Sequence, residues 1–295
     1  MKLYPNLISA AIEGLLEIFN QNQKADKVVA KLLKSNNKWG SRDRKFIANN
    51  IYSVVRWYRL YHEVLGKEPE TVEEWKSLLG IQWVLQNEDI SAYPDFDIPT
   101  VEEIHNKAAL LIKNIAIKES IPEWLHELGT TELGDKWPTC LTNLNATQYV
   151  YLRVNTLKNS AKAALNSLKK EGIDASFENQ FCIKLEKRVK LEHLKSFRNG
   201  LYEVQDKGSQ LISAFLNPRP GSTVIDACAG AGGKTLHLAT IMKNKGKITA
   251  LDIRENALKE LEKRCLRAGV IIANSKLADA ETIEKLKESA DYLLL

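Results

Sequence analysis

The stretch Thr223-Val-Ile-Asp-Ala-Cys-Ala-Gly-Ala-Gly-Gly-Lys-Thr235 limits what this chain can fold into more than any other. It begins as a short β-branched apolar run, Val224-Ile225, set off by the turn signal Arg219-Pro220-Gly221-Ser222. It ends in a helix-like run, Leu236-His-Leu-Ala-Thr-Ile-Met242, with Gly230, Gly232 and Gly233 between. A strand feeding a glycine loop that opens a helix is how open α/β sheets hold a nucleotide-like ligand. Glycine lets the backbone take positive φ and approach a ligand with no Cβ in the way. The residues after this stretch continue an α/β pattern; those before it read as targeting apparatus.

Three ligands compete for the loop. A P-loop for ATP or GTP requires G-x-x-x-x-G-K-[S/T]. Gly233-Lys234-Thr235 supplies its end, but the first glycine would fall on Cys228, so the spacing fails. The dinucleotide pattern G-x-G-x-x-G is approached by Gly230-Ala-Gly232, but Gly233 comes two residues too early for the third glycine. That reading is weakened and stays open. The third ligand is S-adenosylmethionine. Asp226 at the strand end suits it, as does Asp252 after the second strand-like run Lys247-Ile-Thr-Ala-Leu251. A carboxylate in that place accepts both ribose hydroxyls of an adenosine.

Asp226-Ala-Cys-Ala-Gly-Ala-Gly-Gly-Lys-Thr235 resembles the first motif, D-x-C-A-x-P-G-G-K-T, of the Rsm/Nop2/Sun family of RNA (cytosine-5) methyltransferases. Ala231 stands where the family commonly has Pro; the glycines and the lysine are intact. Val204-Gln-Asp-Lys-Gly-Ser-Gln210 resembles the family's V-Q-D-x-x-S-Q lead-in, and a more diffuse resemblance covers most of the chain. The resemblance implies a Rossmann-like fold, S-adenosylmethionine as cofactor and an RNA partner. It implies that Cys228, Ala229, Gly230, Ala231, Gly232, Gly233 and Lys234 cradle the methionine and ribose end of the cofactor. Asp252 would bind the ribose hydroxyls, and Asp279, at the end of a third strand, the adenine amino group. Each aspartate also stands where it would cap the following helix, and Lys234 where a first-turn surface lysine would.

Methylating C5 of cytosine requires a thiolate to add at C6, a base to remove the C5 proton, and the thiolate to leave. In the family the two cysteines concerned lie in D-x-P-C and T-C-S motifs after the fourth strand. Neither motif occurs in these 295 residues. No catalytic residue is therefore assigned, and Cys228 is read as part of the cofactor loop. The chain as given is expected to bind cofactor weakly and not to turn over. A second class of function stands beside this one: a non-catalytic RNA-binding or ribosome-assembly module with a vestigial cofactor fold. An NAD-linked dehydrogenase leaves the N-terminal half unexplained.

The net charge is +5, and it is unevenly placed. Residues 151–200 hold 11 Lys/Arg against 5 Asp/Glu, so the rest of the chain is near neutral. A basic segment of this kind suits a polyanion, although a solvated charged face would look the same. Cys140, Cys182, Cys228 and Cys265 are far apart with no C-x-x-C, and five scattered histidines form no zinc pattern. Reduced thiols in a cytoplasmic protein are the simplest account. No apolar run approaches the ~20 residues of a membrane span, and the N-terminus lacks the apolar core of a signal peptide.

Residues 1–140 read as helices. Ile8, Ile12, Leu15 and Phe19 share one face, and Val28, Leu32 and Leu33 begin another. Ser41 is placed to cap a long helix with Asp43 in its first turn; Ile47, Ile51, Val54, Tyr58, Tyr61 and Leu65 form its stripe, and Gly66 stops it. Arg42, Arg44, Lys45, Arg56 and Arg59, with Trp57 between, make a candidate RNA surface on that helix. Helical stretches follow at Val72–Leu85 and Thr100–Lys113, separated by a connector, Tyr93-Pro94 to Pro99. Pro122 is expected at the first position of another helix. By resemblance, this region is a NusB-like RNA-binding extension, which favours ribosomal RNA over tRNA.

From Tyr149 the texture changes. Tyr149–Val154, Phe181–Leu185 and Leu201–Val204 read as strands, with a short helix at Ala161–Glu171 turning Ala164, Leu165 and Leu168 inward. Arg153 and Asn155 lie in an R-V-N-T stretch that resembles the family. A small α+β, RRM-like domain over residues 141–204 would position RNA through phosphate contacts from Lys169, Lys170, Lys187, Arg188 and Lys190. Residues 205–295 read as βαβ units: strands 223–227, 247–251, 275–278 and 291–295, with helices 234–243, 255–268 and 281–289. Leu258, Leu261 and Cys265 share one face, so Cys265 is read as core. Four strands and three helices make about half of a doubly wound domain, and an apolar parallel strand is normally buried on both faces. The chain is therefore expected to be the N-terminal part of a longer protein, all-α, then small α+β, then an incomplete Rossmann-like fold.

Overall fold

The computed structural model describes residues 4–90, 96–146 and 148–295. They form two compact units, Met1–Ala146 and Thr147–Leu295. Among the described residues no helix is long and apolar enough to cross a membrane.

The first unit is helical: α1 (Pro5–Asn20), α2 (Ala25–Ser35), α3 (Ser41–Leu65), α4 (Val72–Leu85), α5 (Val101–Leu111), α6 (Ile115–Lys118), α7 (Glu123–Leu133) and α8 (Trp137–Asn145). Its core joins Ile8, Ile12 and Leu15 of α1 to Val28 and Leu32 of α2 and Ile47, Ile51, Val54 and Tyr61 of α3. Trp75, Leu78, Leu79 and Trp83 of α4 complete it. Phe19, Leu33, Tyr58 and Leu65 pack at its margin, half-buried. Gly66 ends α3 in the left-handed conformation at φ 92°, as the sequence predicts.

Two helix starts differ from expectation. Gly40, not Ser41, caps α3: the Gly40 N–H donates to Asp43 Oδ2 at 2.9 Å, so the carboxylate does the work and Ser41 is the first helical residue. Pro122 precedes α7 with extended backbone instead of opening it. The basic set on α3 is also largely spoken for. Arg44 donates to the carbonyls of Trp39, Leu33 and Asn36, Arg56 to that of Asn145 at 3.0 Å, and Arg59 to Ile121 and the Glu123 carboxylate. These three arginines hold helix ends together, and the exposed cations of the set are Arg42, Lys45 and Arg56, the last with its guanidinium on Asn145 O. Trp57 kinks α3, and the Arg59 N–H beside the kink is taken by Ser120 Oγ at 2.9 Å. Of the connector expected at 93–99, residues 93–95 lie outside the described residues and 96–99 are irregular.

The second unit holds two sheets. The first is built from β1 (Val150–Val154), α9 (Ala161–Lys170), β2 (Ala175–Asn179), β3 (Cys182–Leu185), α10 (Lys195–Arg198) and β4 (Tyr202–Val204). Its strands are antiparallel in the order β2-β3-β1-β4, a βαββαβ arrangement. Leu152, Val154, Ile183, Leu185 and Tyr202 bury one face against Ala161, Ala164 and Leu168 of α9. Leu165 sits at the edge of that core. The opposite face carries Arg153, Cys182 and Glu203, which are buried as well. That closes the middle of the sheet to an RNA strand laid across it.

After α11 (Lys207–Leu216) come β5 (Thr223–Asp226), α12 (Gly233–Ile241), β6 (Lys247–Asp252), α13 (Glu255–Ala268), β7 (Ala273–Leu277), α14 (Ala280–Lys285) and β8 (Tyr292–Leu294). All four strands are parallel, in the order β7-β6-β5-β8. Every residue of β6 after Lys247 is buried, as a strand covered on both faces requires. The third strand starts two residues earlier than expected, and α14 stops at Lys285, four residues short of the expected end. In this strand order the chain reverses direction across the sheet beside β5, and the carboxyl ends there are where open α/β sheets bind ligands.

Candidate functional site

Asp226 closes β5 and is buried; its Oδ2 accepts the Thr235 hydroxyl of α12 at 2.6 Å. The two ends of the glycine loop are thereby pinned together, and burial pushes the Asp226 carboxyl up. The loop is tied on both sides: Ala227 N–H donates to Leu294 O of β8, and Ala229 N–H to Leu251 O of β6, each at 2.8 Å. Gly230 and Gly232 have φ of 54° and 85°, the region that favours glycine. A Cβ on Gly232 would also lie 2.7 Å from Leu261 Cγ and 2.9 Å from Leu236 Cδ1.

Asp252 closes β6 beside this loop and is 7% exposed. Its Oδ2 accepts the Gly230 N–H at 2.8 Å; its Oδ1 accepts the Arg254 N–H at 2.9 Å and the Arg254 Nε at 3.1 Å. The Arg254 guanidinium first, then these backbone donors, hold the carboxyl below the usual carboxylate range. An ionised acceptor thus sits against the middle of the loop. Arg254 itself is largely exposed, free to swing off the carboxylate.

The structure brings Cys228, Ala229, Gly230, Ala231, Gly232, Gly233, Lys234 and Asp252 to one place, at the carboxyl ends of β5 and β6. Cys228 is exposed on the loop, and Lys234 is half-buried in the first turn of α12, where its charge also acts on Asp226. Asp279 lies two residues past β7, in a segment tied to the site by the Ala278 N–H to Asp252 O bond at 3.1 Å. Its side chain is exposed and caps α14, accepting the Thr282 N–H at 2.7 Å. Burial pushes the Cys265 thiol up to about 11, and that of Cys182 up as well, so neither is a ready nucleophile. Among the described residues no group of three or more His, Cys, Asp or Glu is placed to hold a metal.

Sequence reasoning missed two features. Ile253, next to Asp252, leaves 78% of its surface exposed, an apolar side chain directly beside the acceptor. The second is a buried ion group beneath the loop. Arg153 donates through Nη1 to Gln205 Oε1 at 2.7 Å and to the Gly233 carbonyl. Glu203, its cross-strand partner, accepts Arg264 at 2.9 Å and Arg267 at 2.7 Å, and Arg264 also donates to Ala231 O at 2.8 Å. Arg153 and Glu203 alternate with the inward-facing residues of two strands that pair in register, as solvent-facing charges would, so their burial was not to be read from the sequence.

A family model described as 16S rRNA methyltransferase RsmB/F matches residues 213–295, and one described as the ferredoxin-like domain of RsmF/B-like methyltransferases matches residues 121–192. The probable ribosomal RNA small subunit methyltransferase B of Bacillus subtilis is 30% identical over 185 residues, 61% of this chain and 41% of that protein. The tRNA (cytosine(72)-C(5))-methyltransferase of Pyrococcus horikoshii is 35% identical over 105 residues, 36% of this chain and 27% of that protein. A crystal structure of a methyltransferase homolog from Pyrococcus horikoshii superposes with a TM-score of 0.56 at 26% identity, covering 63% of this chain and 62% of that one. The chain spans about two fifths of the length of the first curated relatives it matches. Loop, strand order and both matched segments agree, and the chain belongs to the Rsm/Nop2/Sun family of methyltransferases.

Proposed function

We propose that this chain carries the cofactor-binding part of an RNA (cytosine-5) methyltransferase that uses S-adenosylmethionine, with ribosomal RNA as substrate. The observation that carries this reading is the pairing of the glycine loop with an ionised Asp252 held against it at 2.8 Å. The residues fit the group. Gly230 leaves the space before Asp252 without a side chain, Gly232 has no room for one against Leu261 and Leu236, and the first N–H groups of α12 have no partner within the helix. Those amides and Lys234 suit the carboxylate of a methionine moiety; Asp252 suits two ribose hydroxyls once Arg254 releases it. The exposed face of Ile253 suits the flat side of an adenine, and Asp279 would accept from its amino group. When bound, S-adenosylmethionine supplies an electrophilic methyl group.

The protein's own part in that chemistry is to orient and to exclude. None of the four cysteines is assigned as the attacking thiolate: two are buried, Cys228 belongs to the loop, and Cys140 lies in the helical unit. The thiolate is expected from a D-x-P-C segment, which these 295 residues do not contain, so they would not turn over by themselves. RNA would be held by the exposed cations Lys169, Lys170, Lys187, Arg188 and Lys190, which position a polyanion without reading its sequence. Residues 1–140 would serve as a NusB-like extension and residues 141–204 as an RNA-positioning domain. The curated relatives named above act on ribosomal RNA or tRNA by their descriptions, which supports an RNA substrate. Titrating the chain with S-adenosylmethionine and with NAD tests the cofactor: binding of the first alone is expected, and binding of NAD in its place would overturn the reading.

A further inference from the structure

We propose that Arg153 and Arg264 are positioning residues that set the ligand-binding conformation of the glycine loop from behind. The proposal rests on the reading of that loop as the cradle of the cofactor's amino-acid end. Every carbonyl from Ala231 to Gly233 is claimed by a donor within the protein. Arg264 Nη1 takes Ala231 O at 2.8 Å, Leu236 N–H takes Gly232 O at 2.9 Å, and Arg153 Nη1 takes Gly233 O. A trans peptide sets its N–H opposite its carbonyl. Fixing the Gly232 and Gly233 carbonyls therefore turns the Gly233 and Lys234 N–H groups out of the mouth of α12. The Ala231–Gly232 peptide is held from both sides, by Arg264 on its carbonyl and by Ala229 O, which accepts its N–H at 2.9 Å, so loss of Arg264 removes one of its two anchors.

The clamp is anchored in the neighbouring sheet by two buried charged residues. Arg153 and Glu203 face each other in register on β1 and β4, and both are almost wholly buried. Glu203 binds Arg264 and Arg267 of α13 together, while Arg153 is steadied by Gln205 at 2.7 Å. Asn155, two residues on, donates to Gly200 O and Ala268 O, each at 2.8 Å, and stitches the same sheet to the end of α13. The antiparallel sheet is thus part of the cofactor site's frame. Lysine at position 264 keeps the charge and loses the planar fork that reaches Ala231 O and Glu203 at once; at position 153 it removes the Nη1 shared by Gln205 and Gly233.

The test uses the 295-residue chain and its Arg153→Lys, Arg264→Lys and Tyr202→Phe variants, titrated with S-adenosylhomocysteine and with adenosine. Tyr202→Phe removes a hydroxyl bonded to Ser196 on the opposite face of the same sheet, and so controls for simple weakening of that sheet. Each arginine variant is expected to lose about tenfold in affinity for S-adenosylhomocysteine, the size of one hydrogen bond to a charged group. Adenosine, held through Asp252, should stay within about twofold, and Tyr202→Phe should change neither ligand. Unchanged binding of S-adenosylhomocysteine in both arginine variants, or equal losses for the two ligands, overturns the proposal. Amide exchange at residues 230–234 in the ligand-free variants is the second readout, expected to quicken in both. Should the wild-type chain bind neither ligand, the cofactor reading falls, and unchanged exchange would then overturn the clamp by itself.

Discussion

His237, in the second turn of α12, is 4% exposed and its Nδ1 has no partner. Burial, with a smaller push from the Arg153 cation, lowers its pKa to about 3. The unfolded chain takes up a proton near pH 6.5 and the folded one only near 3. Stability is therefore complete above the unfolded value and falls as pH drops between the two, by at most about 1.4 kcal/mol per pH unit. Melting the wild type and a His237→Leu variant between pH 7 and pH 5 checks this. The wild type should lose stability over that interval and the variant distinctly less; equal slopes would show that His237 is not the titrating group. Arg153 beside it, also buried, is lowered only to about 10 and stays a cation throughout.

At the scale of elements, the lead-in Val204–Gln210 acts structurally before it acts in any chemistry. Asp206 caps α11, accepting the Gly208 N–H at 2.8 Å and the Ser209 N–H at 3.3 Å, and Gln205 braces Arg153. Asp206→Ala should cost about 1 kcal/mol, the usual worth of a helix cap, read as a lowered denaturant midpoint; Asp206→Asn should recover most of it. The parallel strands, α12, α13 and the stripes of α1 and α3 were legible in sequence, because burial on two faces or one writes a period into the residues. The T-V-E-E repeats at Thr71 and Thr100 were legible too and went unread, although each forms a capping box with Glu74 or Glu103. Strand β2, Ala175–Asn179, was not legible, since an edge strand only half-buried carries no apolar run. Neither was the role of Arg153, Glu203 and Arg264, whose bonds join residues 33 to 80 positions apart. The loop and Asp252 could be read locally because their geometry is local; the frame behind them depends on tertiary packing.

For the molecule as a whole, charge and cofactor site divide the labour. Replacing Lys187, Arg188 and Lys190 by alanine should weaken RNA binding and flatten the plot of log affinity against log salt by about 2, if all three contact phosphates. An unchanged slope would mean the basic surplus of residues 151–200 is only a solvated face. The central claim is that the carboxyl ends of β5 and β6 form one adenosyl-ligand site, and a crystal structure of the chain with S-adenosylhomocysteine tests it most directly. The account predicts both ribose hydroxyls on Asp252, the amino-acid end against the Gly233 and Lys234 amides, and Arg254 swung away from the carboxylate. A ligand bound elsewhere, or Arg254 still locked onto Asp252 with the ligand present, would contradict it.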